Sequence, residues 1–277
     1  MAARYAKDAD YKRTAVCTCA GKPKWQGNTH LWVVNRALKM LARSGDATAV
    51  RVAAAMNKAA CRGKWETGLW DGDGPGLVDS EKLGSHFYNA AGKDSGGKAT
   101  RLVTYNAAQM ARAGSSDNAL KRATDQLAKV RALSSADSCY AIGLALHYAT
   151  DLTQPMHAAS MSSMDMPLGL HPTWESYVPV IQARFKAGRW DKRWRGKSAR
   201  DVIVAAAVKS NGWTPALLRL VDAHKLPICT YLAFSGAVYT GRCWRGDPKV
   251  DRITGEILAD ATQSTASFLH AALGKLR

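Results

Sequence analysis

Apolar residues recur every three or four positions along much of this chain, which is the spacing of a helix with one buried face. The spacing predicts helices over residues 31–41, 107–113, 119–133, 136–150, 203–208, 214–220 and 257–273. A further segment, 51–60, is rich in alanine, which favours helix by intrinsic propensity. Runs of alternating apolar and polar residues, which are typical of strands, are few and short. The pattern therefore predicts an all-α fold.

Glycine-rich segments interrupt this pattern and predict loops over residues 72–76, 92–97, 114–117 and 245–248. No repeat or low-complexity linker divides the chain. We therefore expect one compact domain over residues 25–277, preceded by an extension of undetermined order over residues 1–24. No stretch approaches the roughly 20 apolar residues that a membrane-spanning helix needs. Residues 1–24 contain no apolar run of the signal-peptide type, so the chain is either intracellular or has already lost a signal.

Histidine and carboxylate side chains recur at spacings that suit metal binding. His147 and Asp151 lie four residues apart in a predicted helix, so their side chains share one face. His171 and Glu175 repeat the spacing, and Pro172 suits the first turn of their helix. Each pair can therefore hold a metal ion. The alternative for the first pair is a buried histidine that is hydrogen-bonded to a nearby carboxylate.

A proline places a further histidine beside these pairs. Pro155 predicts the end of the preceding helix, or a kink in it, which would turn His157 toward the partners on the next helix. His157, His171 and Glu175 would then form a metal site with a fourth position open for water. Nitrogen and carboxylate oxygen together are the ligand set of hydrolytic zinc, so the sequence predicts a metal-dependent hydrolase.

Three more candidates are weaker when each is taken alone. His30 precedes a predicted helix, His86 lies in a short Ser-His-Phe-Tyr motif, and Asp73 lies in a glycine-rich loop where aspartate is common. With the other motifs, they bring five of the seven histidines of the chain into one predicted site. The alternative class is a non-catalytic protein with structural zinc, in which protein ligands would close every coordination position.

The net charge of the chain indicates which classes of partner it attracts. Lys and Arg number 39 against 22 Asp and Glu, which gives a formal net charge of +17. Such a surface attracts polyanions, either nucleic acid or membranes rich in anionic lipid. Because the charges are scattered, the alternative is that they serve solubility alone. The densest run, residues 184–200, is either a contact patch or a solvated loop.

The cysteines add a constraint on the compartment. There are six: Cys17, Cys19, Cys61, Cys139, Cys229 and Cys243. None forms a Cys-x-x-Cys pair, so a cysteine-type zinc site is not expected. We expect a disulfide between Cys229 and Cys243, and another that joins Cys17 or Cys19 to Cys61. Disulfides imply an oxidising compartment. Buried free thiols in a cytosolic protein are the alternative.

Six segments of the chain resemble one known family. They are residues 30–38, 68–73, 85–88, 143–148 and 151–159, and the pair His171-x-x-x-Glu175. The chain resembles the bacterial zinc-dependent phospholipase C family, typified by the phosphatidylcholine-hydrolysing enzyme of bacilli and the catalytic domain of clostridial alpha-toxin. The resemblance implies a compact all-α domain around three zinc ions. It also implies hydrolysis of glycerophospholipids, with phosphatidylcholine as the expected substrate, to diacylglycerol and a phosphorylated head group.

The resemblance also implies a ligand set for each zinc. The first zinc would be held by Asp73, His86, His147 and Asp151. The second would be held by His157, His171 and Glu175. The third would be held by His30 and Asp151, together with the α-amine and carbonyl of an N-terminal tryptophan, for which the nearest candidate is Trp25. Asp73 is also the expected catalytic residue, which orients or deprotonates the attacking water.

Two features depart from the pattern of the family. Because 24 residues precede Trp25, its amine becomes a ligand only if the chain is cut between Lys24 and Trp25. Without that cut, the third zinc is weakly held or takes a ligand from the extension. Gly74 and Leu83 stand near positions where the bacillus enzyme surrounds choline with aromatic and acidic residues. The head-group preference therefore stays open.

Zinc-dependent single-strand nucleases share this fold and provide the alternative function. As in those nucleases, Trp25 precedes His30 by five residues, and segment 170–177 is similar to theirs. The positive charge also suits nucleic acid. The short interval between His147 and His171 instead resembles the phospholipases. We therefore expect a monomer that is secreted or periplasmic and meets phospholipid at a membrane surface, with nucleic acid as a partner only under the alternative.

Overall fold

The computed structural model of the chain describes residues 29–73, 83–90, 117–161, 170–186, 188–224, 229–232, 236–239 and 247–276. The extension over residues 1–24, Trp25, Gly74, the predicted helix over residues 107–113 and the loop over residues 92–97 lie outside the described residues. So do Cys17, Cys19 and Cys243, which leaves the predicted Cys229–Cys243 pair untested.

Helices form most of the described chain. They are α1 (Thr29–Ala42), α2 (Ala47–Met56), α3 (Ala59–Asp71), α4 (Ala119–Ala128), α5 (Ala136–Asp151), α6 (Pro155–Ala158), α7 (Leu170–Ile181), α8 (Ala199–Asn211), α9 (Thr214–His224) and α10 (Pro248–Leu273). Short 3-10 turns occur at Leu83–His86, Gln182–Arg184 and Lys192–Trp194. The strands β1 (Cys229–Leu232) and β2 (Gly236–Tyr239) pair antiparallel, with Cys229 opposite Tyr239. The all-α class is confirmed, and this hairpin is a small addition to it.

Polar caps set several helix boundaries that apolar spacing does not reveal. The alanine-rich segment 51–60 is not one helix, because α2 ends at Met56 and α3 begins at Ala59. Between them, the Asn57 side chain donates to the Ala53 carbonyl at 2.9 Å and caps α2. The predicted helix over residues 119–133 ends early, at Ala128. After it, the backbone N–H of Arg131 donates to the Ser138 hydroxyl.

Two clusters of buried apolar side chains fill the interior. The larger cluster packs α1 to α5, α8 and the C-terminal part of α10, and includes Trp65. The smaller one packs α7, α9 and the N-terminal part of α10, and includes Trp174. Val33 of α1 belongs to the smaller cluster and Val34 to the larger, so α1 lies between them. No helix of the described residues is both long and apolar enough to cross a membrane.

Helices α3 and α5 approach each other closely along a seam that carries two glycines and a disulfide. A Cβ on Gly68 would lie 2.3 Å from the Tyr140 carbonyl oxygen, and a Cβ on Gly143 would lie 2.2 Å from the Trp65 carbonyl oxygen. At the start of α3, Cys61 is bonded to Cys139 of α5, with 5.3 Å between the Cα atoms. The predicted pairing of Cys61 with Cys17 or Cys19 is therefore wrong, because the partner lies across the seam on a helix 78 residues away.

The seam predicts opposite effects for two glycine substitutions in α3. Gly68→Ala should lower the free energy of unfolding by about 1–3 kcal/mol, because the added methyl group meets backbone atoms that have no rotamer to change. The matched control is Gly63→Ala, where a Cβ has no neighbour within 4 Å. This change should stabilise the protein by about 0.5–1 kcal/mol. Thermal denaturation measures both, and equal melting temperatures would contradict the close approach.

Candidate metal centre

All eight predicted metal ligands within the described residues lie together in the fold. They form three groups, of which two share His147, and in each group the donor atoms lie within 4.8 Å of one another. The groups are His30, His147 and Asp151; Asp73, His86 and His147; and His157, His171 and Glu175. Side chains from α1, α5, α6 and α7 meet there with the end of α3 and the turn at Leu83–His86.

The seam between α3 and α5 positions His147. The His147 Nδ1 atom lies 2.9 Å from the Leu69 carbonyl oxygen of α3. Because a carbonyl oxygen only accepts hydrogen bonds, Nδ1 carries the proton and Nε2 keeps a lone pair. That Nε2 atom lies 3.5 Å from an oxygen of Asp73 and 3.5 Å from an oxygen of Asp151. Gly72 makes room for the ring, since a Cβ there would lie 2.3 Å from the His147 Cγ atom.

His30 has the same tautomer for a similar reason. Its Nδ1 atom lies 2.5 Å from the Thr150 hydroxyl oxygen. The hydroxyl donates its own hydrogen to the Leu146 carbonyl at 2.7 Å, so it accepts from His30. The His30 Nε2 atom is left facing Asp151, at 3.6 Å. Histidine ligands of metals are commonly oriented in this way, by a hydrogen bond from the nitrogen that does not bind the metal.

The short helix α6 positions His157, and Pro155 occupies its first turn. The predicted break before His157 is thus confirmed. The His157 Nδ1 atom donates to the His86 carbonyl at 2.8 Å, and its Nε2 atom lies 3.2 Å from Glu175 Oε1. Gln154 caps α6 by accepting from the His157 backbone N–H, and its amide group donates to the same Glu175 oxygen at 3.1 Å. One glutamine side chain therefore fixes two members of the group.

Helix α7 supplies the other two members of this group. His171 lies one residue after the start of the helix and Glu175 lies one turn further, as the spacing predicts. The His171 Nε2 atom lies 2.8 Å from Glu175 Oε1. The rings of His157 and His171 meet edge to face, with 4.7 Å between their centroids. The three side chains of this group thus lie close together and are buried.

Asp151 faces several histidines at once. Its Oδ1 atom lies 3.6 Å from His30 Nε2 and 3.7 Å from His157 Nδ1. Its Oδ2 atom lies 3.0 Å from His86 Nδ1 and 3.5 Å from His147 Nε2. The carboxylate is 2 % exposed. Each oxygen therefore serves a different set of nitrogens, which is the arrangement that a carboxylate shared between two metal ions needs.

Burial and charge act in opposite directions on the titrating groups of this centre. Burial raises the pKa of Asp151 and of Glu175, but the neighbouring histidines outweigh it, so both pKa values lie well below the usual carboxyl range. Burial lowers the pKa of His157, yet the two carboxylates raise it to about 9. Burial is also the main reason that the pKa of His30 is lowered and that of Asp73 is raised. At Asp151 and Glu175 the centre thus favours the ionised carboxylate, which attracts a positive charge.

The donor set of this centre fits a metal ion. Among the described residues, no Lys or Arg side chain pairs with Asp73, Asp151 or Glu175, and histidines supply most of their polar contacts. Buried carboxylates and imidazoles without a fixed cation are the surroundings that divalent transition metals require. The residues present therefore suit zinc, with Cys ligands absent from all three groups.

Several supporting groups were not predicted from the sequence. Gln154 precedes His157 by only three residues, so this contact could have been predicted from the sequence. Thr150 gave no such signal, because it orients His30, which lies 120 residues away. The carbonyl groups of Leu69 and His86 gave no signal, because a backbone carbonyl is present at every residue. Their role as acceptors depends only on where the fold places them.

Curated relatives share sequence with most of the chain. A phospholipase C of Bacillus cereus is 30 % identical over 251 residues, covering 87 % of this chain and 79 % of that protein. A second Bacillus cereus phospholipase C is 28 % identical over 268 residues, covering 89 % of this chain and 84 % of the relative. A phospholipase C of Listeria monocytogenes is 28 % identical over 246 residues, covering 87 % and 75 %. No protein-family model matches the chain.

Solved structures agree with this relationship at the level of the fold. The alpha-toxin of Clostridium absonum superposes with a TM-score of 0.56 at 16 % identity, and that of Clostridium perfringens with 0.53 at 15 %. Each covers 90 % of this chain, which spans only 64 % and 65 % of the two toxin chains. The fold is shared with the toxins, and the sequence is shared more closely with the enzymes of Bacillus. The chain therefore belongs to the bacterial phospholipase C family.

Proposed function

We propose that this chain hydrolyses the phosphodiester of a glycerophospholipid, with phosphatidylcholine as the substrate, to diacylglycerol and a phosphorylated head group. As a member of the phospholipase C family, it is a phosphoric diester hydrolase. The observation that carries the proposal is the convergence of five histidines and three carboxylates in one centre. Nothing in the described site favours the nuclease alternative.

Zinc is the proposed cofactor. We assign the first ion to Asp73, His86, His147 and Asp151, the second to His157, His171 and Glu175, and the third to His30 and Asp151. The third ion has the fewest donors, and Trp25 completes its set only as a processed N-terminus. When bound, zinc supplies positive charge that stabilises the negative charge developing on the phosphate in the transition state.

Asp73 is the proposed catalytic residue. It follows the C-terminal end of α3, and its side chain is 20 % exposed, against 2 % for Asp151. One of its oxygens faces His147 at 3.5 Å, so part of the carboxylate remains free to accept a proton from the attacking water. Gly72, directly before it, keeps the end of α3 close to the His147 ring. The carboxylate is thus accessible and also fixed in position.

We further propose that the enzyme acts as a monomer outside the cytoplasm, secreted or periplasmic, on phospholipid at a membrane surface. The Cys61–Cys139 disulfide supports this location, because such bonds persist in oxidising compartments.

Removing the metal should abolish hydrolysis of phosphatidylcholine. We expect diacylglycerol release from phosphatidylcholine vesicles to stop after treatment with a chelator, and to return when zinc is added back. Single-stranded DNA incubated with the same preparations should stay intact. Cleavage of the DNA without release of diacylglycerol would instead support the nuclease alternative, and release that ignores the chelator would remove zinc from the proposal.

Replacing the proposed base should slow the reaction without removing the metal. Asp73→Asn should lower the turnover number by about 100-fold or more, since general base catalysis typically contributes 100- to 10,000-fold. Asp71→Asn is the matched control, because Asp71 ends α3 two residues before Asp73 and accepts from the Tyr140 hydroxyl instead of facing a histidine. It should retain near-normal turnover. Near-full turnover of Asp73→Asn with its zinc retained would contradict the assignment.

The zinc content of two further variants should differ. Asp151→Asn removes charge from a residue that faces both His30 and His147, so metal should be lost from both of their groups. Glu175→Gln should lose metal only from the group that contains His157. Elemental analysis after dialysis measures both, with Asp46→Asn as the control, since this buried carboxylate caps α2 and Asn also caps helices well. Equal losses from both site variants would contradict the shared role of Asp151.

A further inference from the structure

A second charged cavity lies between α1 and the segment that precedes α8. It encloses about 880 Å³. Ten of the described residues line it, and six of these are cationic: Arg36, Lys39, Arg43, Lys186, Arg189 and Lys192. Lys and Arg make up 39 of the 277 residues of the chain, so this concentration is far above a scattered distribution. Among the described residues, no acidic side chain lines the cavity, and none of the six cations has an ion-pair partner. We call it the basic groove.

One wall of the basic groove is a face of α1. Arg36, Lys39 and Arg43 are spaced by three and four residues, so their side chains project from the same side of the helix. The Arg36 guanidinium group lies 5.1 Å from the centroid of the Trp32 ring, which supports its stem. The opposite side of α1 is buried in the two apolar clusters. The cations of this wall are therefore held on a rigid element.

The other wall is fixed to α10. The backbone N–H of Asp191 donates to the Gln263 side-chain oxygen at 2.9 Å, and the Gln263 amide group donates to the Arg189 carbonyl. Between them, the Trp190 ring N–H donates to the Ser267 hydroxyl at 3.0 Å. This segment belongs to the densest run of Lys, Arg and Trp in the sequence. These hydrogen bonds hold residues 189–191 in place against α10.

The basic groove is separate from the metal centre, although α1 contributes to both. His30 lies in the first turn of α1, and Arg36 and Arg43 follow by six and thirteen residues. At a rise of 1.5 Å per residue, they lie about 9 and about 20 Å further along the axis. None of the six cations belongs to a metal-binding group. Substitutions in the basic groove therefore leave the catalytic donors intact.

We propose that the basic groove docks the enzyme on the phosphate head groups of anionic lipids in the membrane that contains its substrate. Several cations around one concave surface suit several separate phosphates, because each cation near an anionic bilayer adds to the attraction. Nucleic acid fits less well, because single strands bind by stacking on exposed rings. The ring that lines the groove, Trp190, is only 6 % exposed, and its N–H already donates to the Ser267 hydroxyl. It is therefore not available for stacking on a base. The docking role rests on the proposed lipid substrate.

A charge-matched pair of triple variants tests the docking surface. The groove variant combines Arg36→Gln, Lys39→Gln and Arg189→Gln. The control variant combines Lys58→Gln, Lys64→Gln and Lys129→Gln, which removes the same charge from exposed positions in or next to α3 and α4. Both are assayed as the full holoenzyme. Vesicle binding is followed in a stopped-flow instrument by energy transfer from tryptophan to a dansyl lipid, before hydrolysis proceeds, with and without phosphatidylglycerol in the phosphatidylcholine vesicles.

We expect phosphatidylglycerol to strengthen binding of the native chain and of the control variant, and added salt to weaken it. The groove variant should bind the mixed vesicles at least about 10-fold more weakly than the control variant. All three should hydrolyse a monomeric short-chain phosphatidylcholine equally well.

Equal losses in the two triple variants would overturn the proposal, because they would show an effect of net charge alone. So would a groove variant that keeps vesicle binding but loses affinity for a single-stranded oligonucleotide in an anisotropy assay. If binding depends on the groove but no form of the enzyme hydrolyses phosphatidylcholine, docking stands and the proposed substrate fails. The two claims can therefore fail separately.

Discussion

The arrangement of the metal centre depends on the close contact between α3 and α5. Gly68 and Gly143 let the two backbones approach, and the Cys61–Cys139 disulfide joins the helices at the start of the same seam. At the other end, this approach brings the Leu69 carbonyl within hydrogen-bonding distance of His147. Side chains larger than hydrogen at the glycine positions would push the helices apart. The orientation of His147 would then be lost, although no ligand had changed.

The second constraint is electrostatic. Asp151 and Glu175 are buried, and burial alone favours their neutral forms. Histidines reverse this preference, and the pKa of His157 rises to about 9 in return. A proton on the Nε2 atom of His157 and a metal ion at that atom are mutually exclusive, so a metal ion would have to displace that proton, while the proton on Nδ1 stays. The buried carboxylates stabilise whichever positive charge is present, the proton on His157 or a metal ion. The folded centre therefore favours the presence of a cation.

Much of the fold and of the ligand set could be predicted from the sequence, because both depend on local periodicity. Helical spacing indicated the all-α class and placed His171 and Glu175 one turn apart, and Pro155 indicated the break before His157. The predicted partner of Cys61, Cys17 or Cys19, was wrong. A disulfide between helices depends on tertiary packing, which sequence spacing does not encode. The same limit applies to the carbonyl groups that orient His147 and His157, and to the break at Asn57, where a side-chain cap overrides alanine propensity.

Asp151 and Glu175 are buried, whereas the cations of the basic groove lie at the surface, and this arrangement suits the proposed reaction at a membrane. The proposed metal ligand Asp151 lies in the interior, where it would attract a metal ion despite the net charge of +17. Lys39 and Arg189 are exposed, where they would attract phosphate. A buried carboxylate does not screen the field that would draw an anionic bilayer toward the basic groove. One basic molecule can in this way favour cations at its centre and anions at its surface.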